Sequence, residues 1–355
     1  MGISLRNKIL LALTGTVGGV VAVAGLARLA FFIPPQVLDA AVTCPAEAPT
    51  ISRKTPLRVL SWNIQYSAGR NHQFFYDRGN TVSVSGEAVH QTLEEIAAII
   101  RQFNPDIVML QEVDRNSRRT QYVDQHAELL QKLDYPCHST TPYYRVPYVP
   151  FPSSEHLGRV DMHLTVLSRF QIDSVTRHQL PLLQESRLRQ LFNLRRALME
   201  IRLPISDGGE FLLFNTHLSA FTWGDGTLTR QIEVVDQTVE QAEDAGYPWM
   251  LAGDLNSLPP GDRPARLGVA EASKYSEDAT PVQRLISRHG HPVSPKRYTS
   301  HGPAWYTYQP FGEVPDRTLD YMFFGSRVEM LSYTVAQAAD GPSDHLPLLM
   351  ELQVR

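Results

Sequence analysis

From residue 57 onward the chain alternates short apolar runs with amphipathic stretches, and this alternation constrains the fold more than any other feature. Runs rich in Val, Ile, Leu and Phe predict strands at residues 57–62, 106–110, 164–167, 197–203, 210–215, 249–252, 318–324, 331–336 and 346–352. Apolar residues at helical spacing predict one helix over residues 93–100 and another over residues 228–239. Strands and helices intermix without a break, which favours a single α/β domain over residues 57–355. We interpret the aromatic and proline-rich stretch 135–152 as a long surface loop.

Polar side chains stand at the ends of these predicted strands in a repeated way. The set consists of Asn63, Glu112, His217, Asp254, Asn256, Asp320, Asp344 and His345. Because side chains at the same ends of several strands meet at one rim of a sheet, we expect them to converge on one site. Any one of them alone is more often a turn residue or an ordinary surface or core residue, so the prediction depends on the ordered set.

This set of side chains indicates metal-assisted hydrolysis of a phosphoester. Carboxylate and amide oxygens are the ligands that a hard cation such as Mg²⁺ prefers. Histidines add groups that transfer protons or contact phosphate. Together they describe a cation that neutralises a phosphate oxygen while a base activates water. Zinc bound by histidines is an alternative, although no two of them stand four residues apart in an apolar helical stripe.

Six short motifs carry these residues and resemble, in order, those of the endonuclease/exonuclease/phosphatase superfamily, which includes the deoxyribonuclease I-like enzymes. They are SWNI at 61–64, QEV at 111–113, NTHL at 215–218, GDLN at 253–256, LDY at 319–321 and SDHLP at 343–347. The resemblance covers residues 57–352. It implies a four-layer αββα sandwich of two packed mixed sheets, here preceded by a transmembrane or signal helix.

The resemblance also implies a metal site and a phosphate site. Glu112 would be the main ligand of Mg²⁺, with Mn²⁺ as an alternative ion, and Asn63 would be a metal ligand beside it. Asp344 would be a further ligand or would stand just behind the ligands. Asn256 would hold the scissile phosphate, and Arg169, which follows an inner strand, could reach it as well. An exposed arginine at the end of a strand is the alternative for Arg169.

Four further residues would carry out the proton transfers that the resemblance implies. Asp254 would orient or deprotonate the attacking water. His345 would contact the phosphate, and Asp320 would accept a hydrogen bond from its ring, because a buried carboxylate fixes the imidazole tautomer and stabilises its charged form. His217 would stabilise the transition state or assist the leaving oxygen. Which histidine acts as acid and which as base is left open by the motifs.

The N-terminus predicts export. Residues 9–27 are 19 residues without a charge, preceded by Arg6 and Lys8. As a helix this run would span roughly 28 Å, close to the hydrocarbon thickness of a bilayer. We interpret residues 1–34 as a signal anchor, with a cleaved signal peptide as the alternative. Both place the remaining chain on the non-cytoplasmic side, periplasmic or extracellular, attached to the membrane through residues 9–33 in the first case.

Residues 35–56 contain several prolines and no helical period, so we interpret them as a linker. The chain has two cysteines, which are too few for a disulfide scaffold or a cysteine-based zinc site. In an oxidising compartment Cys44 and Cys137 could pair, and two separate thiols are the alternative.

The substrate is not fixed by the family. The 33 basic and 37 acidic residues give a net charge of −4, which argues against a strongly basic protein that wraps nucleic acid. We favour a phosphodiesterase acting on phospholipid or related headgroups; an exported nuclease with the same machinery is the alternative. A catalytically idle binding module is a third reading, against which the complete set of site residues speaks. No obligate protein partner is indicated.

Two surface features bear on this choice. The aromatics of residues 143–151 could rest on a membrane interface or could pack on the domain itself. A basic cluster could meet a phosphate backbone or could be a solvated face; it consists of Arg187, Arg189, Arg195 and Arg196.

Overall fold

A computed structural model of the protein describes residues 31–220, 224–275, 280–337 and 341–355. The predicted signal anchor or signal peptide, residues 1–34, therefore lies almost wholly outside the described residues. Within the described ranges, no helix combines the length and the apolar character that a membrane span requires.

Thirteen strands are present in the described chain. They are β1 Val37–Ala40, β2 Val42–Thr43, β3 Leu57–Asn63, β4 Ile107–Asp114, β5 Cys137–Val149, β6 Gly158–Ser168, β7 Ser174–Gln179, β8 Ala197–Pro204, β9 Glu210–His217, β10 Trp249–Asp254, β11 Asp320–Phe324, β12 Val328–Val335 and β13 Leu348–Val354. The α-helices in the same ranges are α1 Gly86–Phe103, α2 Gln125–Lys132, α3 Arg187–Gln190, α4 Thr227–Asp244, α5 Val269–Ala272, α6 Gln283–Arg288 and α7 Pro295–Ser300. Every strand and both helices predicted from apolar spacing are confirmed.

The strands form two mixed sheets. One has seven strands in the order β12-β13-β3-β4-β6-β5-β2, and the other has six in the order β1-β7-β8-β9-β10-β11. Parallel pairs, β3 with β4 and β9 with β10, lie at the centre of each sheet, and antiparallel pairs surround them. Each parallel pair is joined through a long helix, α1 in one sheet and α4 in the other, as parallel strands require a crossover.

Alternation along the strands creates the layers. In β9, Phe211 and Leu213 join a core shared with the seven-stranded sheet, whereas Leu212 and Phe214 face the opposite way and pack with the apolar stripe of α4. The stripe of α1 covers the seven-stranded sheet in the same manner. Two face-to-face sheets with helices outside are the α/β architecture that the motifs predict.

Two motif amides hold the sheets together. Nε2 of Gln111 in β4 donates to Oδ1 of Asn215 in β9 across the sandwich, at 2.7 Å. Nδ2 of Asn215 in turn donates to the carbonyl oxygens of Leu110 and Thr165, both at 3.1 Å. A buried amide without a hydrogen-bond partner costs free energy of folding. These bonds therefore favour one alignment of the two sheets relative to each other. Residues next to Glu112 and His217 therefore set the alignment of the site.

The stretch predicted to be a loop, residues 135–152, is mostly the long strand β5, so that prediction is wrong. Two register shifts against β6 lie between Pro142 and Tyr144 and between Val146 and Val149. Such bulges let a strand accommodate proline, which cannot donate to the ladder. Proline content hid the alternation that buries every second residue from Cys137 to Tyr143.

The segment expected to be a linker, residues 35–56, also adds strands to the sheets. β1 pairs antiparallel with β7 at the edge of the six-stranded sheet, and β2 pairs with β5 at the edge of the other. Cys44 and Cys137 are bonded to each other beside the β2–β5 pairing. Of the two alternatives for the cysteines, the structure contains the disulfide.

Gly253 sets the separation of the two strands that carry the site. Its φ is +145°, and a Cβ atom built there would lie 1.9 Å from the carbonyl oxygen of Thr216 in the neighbouring strand. Only glycine permits this approach of backbones.

Candidate active site

Three of the predicted residues are direct neighbours in the six-stranded sheet. Asp254, at the end of β10, is in register with His217 at the end of β9 and with Asp320 at the start of β11. All three side chains are buried. The strand ends therefore bring these groups together, as the sequence predicts.

Glu112 reaches the same place from the other sheet by way of a backbone irregularity. The register of β4 against β6 shifts between Leu110 and Val113, and Glu112 within this shift has a φ of +58°. Non-glycine residues rarely adopt this conformation, and such irregularities re-aim side chains at functional sites. Here the irregularity directs the Glu112 carboxylate to within 3.6 Å of Nδ1 of His217.

Asn63 lies beside Glu112 as predicted, but it presents its amide nitrogen. Nδ2 donates to Oε1 of Glu112 at 3.3 Å and to Oδ2 of Asp254 at 3.1 Å. Its amide oxygen accepts the backbone N–H of Gln65 at 3.0 Å. In this arrangement Asn63 orients the two carboxylates, and the predicted role as a metal ligand would require its oxygen to turn towards Glu112.

His345 and Asp320 form the predicted pair. Nδ1 of His345 lies 2.7 Å from Oδ2 of Asp320, and Nε2 lies 3.6 Å from Oδ2 of Asp254. Burial alone would lower the pKa of His345, but the charges of Asp320 and Asp254 and the hydrogen bond to Asp320 raise it well above the usual value. His345 is therefore the charged histidine, with Nε2–H directed towards Asp254.

His217 has the opposite electrostatic setting. Burial, followed by the charges of Arg196 and His345, lowers the pKa of His217 well below its usual value. Nε2 lies 3.2 Å from Oδ2 of Asp254, and the hydroxyl of Tyr143 lies 3.1 Å from Nδ1. A neutral ring satisfies both contacts when Nε2–H donates to Asp254 and Nδ1 accepts from Tyr143. The two histidines thus carry different charges at neutral pH.

Asp254 receives hydrogen bonds from both sides of the site. Its Oδ1 accepts the backbone N–H of Asn256 at 2.9 Å, while Oδ2 faces Asn63 and the two histidines. Burial raises the pKa of Asp254 to about 7, because desolvation outweighs the attraction of charged His345. A carboxylate with a pKa near neutrality is suited to accept a proton from water.

The donor set at Glu112 and Asp344 fits a divalent cation. Burial and then the nearby charge of Glu112 raise the pKa of Asp344 to about 7, although charged His345 opposes this. Both carboxylates line the same cavity. A hard cation with oxygen ligands would stabilise the two carboxylates together. When bound, such an ion would neutralise charge on a phosphate oxygen.

A second group of side chains has spacing that a metal ion could use. The ligand atoms of Asp254, Asp320 and His345 all lie within 4.8 Å of one another. Nδ1 of His345 is already hydrogen-bonded to Asp320, however, which is the arrangement of a proton-transfer pair. The identity of the ion remains a prediction.

Asn256 and Arg169 have different outcomes. Asn256 lines the cavity with a φ of +48°, and its Nδ2 donates to the carbonyl of Leu218 at 3.1 Å. Of the two alternatives for Arg169, a phosphate contact and an arginine at the end of a strand, the structure contains the second: Ser168, the residue before it, pairs with Ile107 at the start of β4. Glu112 lies five residues further along that strand, roughly 16 Å away at about 3.3 Å per residue. Arg169 instead contacts Asn104 and lies 3.7 Å from Asp106.

Arg196 occupies the position that Arg169 was expected to fill. It is buried, lines the cavity, and its guanidinium lies 5.3 Å from the ring centre of Tyr143. Its Nη1 has no hydrogen-bond partner among the described residues. Burial lowers the pKa of Arg196, while the charges of Tyr143, Glu112 and Asp254 oppose this. An arginine with an unused donor beside the carboxylates and His217 is suited to bind phosphate.

Sequence reasoning named Arg196 only as part of a basic cluster, and it missed Tyr143. Arg196 immediately precedes the predicted strand at 197–203, so the strand-end argument could have found it. Tyr143 lies in β5, the strand that its prolines concealed.

The site forms the floor of a cavity of about 510 Å³. One side of this cavity is an apolar wall, made by Phe75, Val149, Phe151, Phe192 and Leu194. A roof loop, residues 70–81, lines the cavity with Arg70 and residues 72–77, and its middle is held by two contacts. Phe75 contacts Phe151 with ring centres 5.7 Å apart, whereas on the other side Asp77 pairs with Lys274 at 3.1 Å.

Two mixed sheets with carboxylates and histidines at one rim define a metal-dependent phosphoester hydrolase. The chain belongs to the endonuclease/exonuclease/phosphatase family, whose model matches residues 60–345. Enzymes of this family are metal-dependent hydrolases that act on phosphoester bonds. The resemblance seen in the motifs is thereby confirmed.

Solved structures share the fold at low sequence identity. The endonuclease/exonuclease/phosphatase from Beutenbergia cavernae DSM 12333 is 23% identical, with a TM-score of 0.57 over 84% of this chain and 72% of that one. The human Nocturnin catalytic domain with bound sulfate is 20% identical, with a TM-score of 0.53 over 89% and 98%. The mannosyl-6-phosphatase Bt3783 of Bacteroides thetaiotaomicron VPI-5482 is 17% identical, with a TM-score of 0.51 over 83% and 99%. No curated protein sequence matches the chain.

Proposed function

We propose that the protein is a Mg²⁺-dependent phosphodiesterase of phospholipid or related headgroup substrates, tethered to the membrane with its catalytic domain outside the cytoplasm. The observation that carries the proposal is the cavity. It joins a floor built to cleave a phosphoester to a wall of aromatic and aliphatic side chains, so that one substrate with a phosphate and an apolar part fills both.

The roof loop supports a small or terminal phosphoester over a polymer. Its contacts to Phe151 and to Lys274 hold it along the cavity, where it narrows the approach to the floor. The interior of a duplex needs an open, positively charged groove to bring its backbone to the catalytic groups. Two arginines of the basic cluster, Arg195 and Arg196, are moreover at least half-buried and do not form such a surface.

We infer the proton transfers from the contacts of these residues. Asp254, held in place by Asn63 and the neutral ring of His217, accepts a proton from the attacking water. As the water oxygen bonds to phosphorus, the bond between phosphorus and the leaving oxygen breaks, and the leaving alkoxide takes a proton from solvent water. Charged His345 directs Nε2–H into the site and neutralises the phosphate as it gains charge. Arg196, which lines the same cavity, binds a non-bridging oxygen of the phosphate. Glu112 and Asp344 would hold Mg²⁺, which supplies further charge neutralisation when bound.

Export is supported by the uncharged N-terminal run and by the Cys44–Cys137 disulfide, which is typical of oxidising compartments. Non-cytoplasmic location is thus part of the proposal. The N-terminal run would then attach the domain to the membrane that holds its substrate.

A substrate screen with one wall variant tests the function. The full chain is supplied with Mg²⁺ and offered phospholipid vesicles, a small aryl methyl phosphodiester, plasmid DNA and RNA, with chelator as the metal-free control. We expect lipid hydrolysis that chelator abolishes and Mg²⁺ restores. Phe75→Ala should raise the KM for lipid about tenfold, because an aromatic contact is lost, with a much smaller effect on the aryl methyl ester. Efficient cleavage of DNA with inert lipid would overturn the proposal in favour of the nuclease.

A further inference from the structure

We propose that the face around the cavity mouth docks on an anionic lipid bilayer through Tyr148, Phe151 and Leu188, here called the mouth rim. The inference rests on the proposed function, since it assumes a tethered enzyme, and it adds the surface that contacts the membrane. Three independent observations carry it.

The first observation is where the N-terminal segment joins the domain. Phe31, the first described residue, packs edge-to-face on Phe192 with ring centres 5.2 Å apart, and Phe192 is part of the apolar wall. The ring of Phe32 lies 5.5 Å from the guanidinium of Arg145 and 5.4 Å from that of Arg177. The uncharged run at residues 9–27 is therefore covalently attached beside the cavity mouth, only a few residues away.

The second observation is the exposure of large apolar side chains at this place. Tyr148 is 50% exposed, Phe151 60% and Leu188 69%. Tyr148 and Phe151 lie at the tip of the β5–β6 hairpin, where Phe151 accepts the backbone N–H of Leu157. Leu188 lies in α3, within one turn of Phe192. Apolar side chains grouped around a cavity mouth are typical of an interaction surface.

The third observation is the charge around the rim. Arg187 and Arg189 flank Leu188 and are both exposed, and Arg159 is exposed beside the hairpin tip. The exposed Glu155 in the tip pairs with Arg118 at 3.1 Å, so the balance of charge at the rim is positive. Aromatic and aliphatic side chains that enter the headgroup region, surrounded by arginines, suit an anionic membrane surface. The attached N-terminal run favours a bilayer over a protein partner as the occupant.

Docking in this orientation would open the cavity onto the bilayer surface. A lipid phosphoester could then reach the floor while its apolar part moves along the wall and stays out of water. Tyr148 and Leu188 would contact the membrane without taking part in the chemistry, because they do not line the cavity, whereas Phe151 belongs to both the rim and the wall.

Site-specific labelling of the full chain tests the docking. Cys44 and Cys137 are bonded to each other, so a single introduced cysteine provides the one thiol for labelling. Tyr148→Cys and Leu188→Cys would be compared with Leu331→Cys, an exposed position on β12 at the opposite edge of the seven-stranded sheet. Each variant carries an environment-sensitive nitrobenzoxadiazole probe and is reconstituted in vesicles containing phosphatidylglycerol.

We expect a blue shift and quenching by lipid-borne nitroxide at positions 148 and 188, with neither at 331. Water-like emission at all three positions would overturn the inference. A blue shift that persists in lipid-free detergent and increases with protein concentration would also overturn it, in favour of a second copy of the chain.

Activity separates this inference from the proposed function. Tyr148→Ser and Leu188→Ser should leave turnover of the soluble aryl methyl phosphodiester unchanged and slow vesicle hydrolysis about tenfold, through lost membrane contact; Leu331→Ser should change neither. If the unaltered chain cleaves no lipid, the proposed substrate fails, while the probe measurement still decides the docking.

Discussion

The floor and the apolar wall of the cavity are built in different ways. The floor takes its side chains from strand ends that are fixed by sheet hydrogen bonds, such as His217 and Asp254, which are register neighbours. The wall takes its side chains from a loop, a hairpin tip and a segment beside a short helix, such as Phe75, Phe151 and Phe192. The chemistry is therefore fixed by the backbone of the sheets, whereas the shape that selects a substrate depends on side-chain contacts between distant segments.

The largest effect is expected from the floor. Glu112→Gln should lower kcat about a thousandfold, because it removes charge from the site that would hold the cation. The thermal midpoint of unfolding should stay equal or rise, since the charge of Glu112 raises the pKa of Asp344 and its removal relieves that repulsion. Steady-state kinetics and a thermal melt check both.

Glu329→Gln, a partly exposed glutamate on the distant strand β12 that pairs with Arg355 at 2.7 Å, is the matched control and should lie close to the parent in both measurements. A Glu112→Gln protein that loses activity together with its thermal stability would show that Glu112 supports the fold and not the chemistry.

A smaller effect should distinguish two arginines. Arg196→Ala should reduce kcat/KM about a hundredfold by removing a donor to phosphate, and Arg196→Lys should recover part of it by retaining the charge. Arg169→Ala, at the opposite end of the strands, should stay within about twofold of the parent. Equal losses of kcat/KM at both positions would contradict the placement of the phosphate beside His217. Circular dichroism checks that each variant is folded.

The smallest effect concerns the hairpin that carries part of the wall. Burial alone would raise the pKa of Asp161, but hydrogen bonds from His163 and Arg145 lower it to about 2. Its ionised form therefore stabilises the folded state above about pH 4, and this stabilisation is lost as the pH falls through about 2. Asp161→Asn should lower the free energy of unfolding by about 2 kcal/mol at pH 7 and by less at pH 3.

Urea unfolding at both pH values measures this difference. Asp134→Asn, at an exposed position before the same hairpin, should change the free energy of unfolding little at either pH. If Asp161→Asn lowers the free energy of unfolding as much at pH 3 as at pH 7, the electrostatic explanation is wrong, and the loss of stability comes from packing instead.

The contrast between floor and wall also explains which features could be predicted from sequence. Strand ends are visible as a polar residue at either end of an apolar run, so Glu112, His217, Asp254, Asp320 and His345 could be predicted without a structure. Their convergence follows from parallel neighbours ending at one rim of each sheet. The fold was predicted from the six motifs, which occur in the same order as in the family.

The rest depended on contacts that no local pattern encodes. β5 was missed because bulges accommodate its prolines, and with it Tyr143, the partner of His217. The contact between Phe75 and Phe151 joins residues 76 positions apart in the sequence, so neither shows its role alone. Arg169 was misplaced because a strand-end rule does not say which end of the sheet holds the site.

Gly253 has a consequence for anyone who wishes to redesign this enzyme. The separation of β9 and β10 at the site leaves room for a hydrogen atom and nothing larger, since an added Cβ would lie 1.9 Å from the oxygen of Thr216. A mutagenesis library that varied this position would therefore contain almost only inactive members. Substitutions in the apolar wall do not meet this backbone clash. Substitutions intended to change the substrate should therefore be made in the roof loop and the hairpin tip, with Gly253 unchanged.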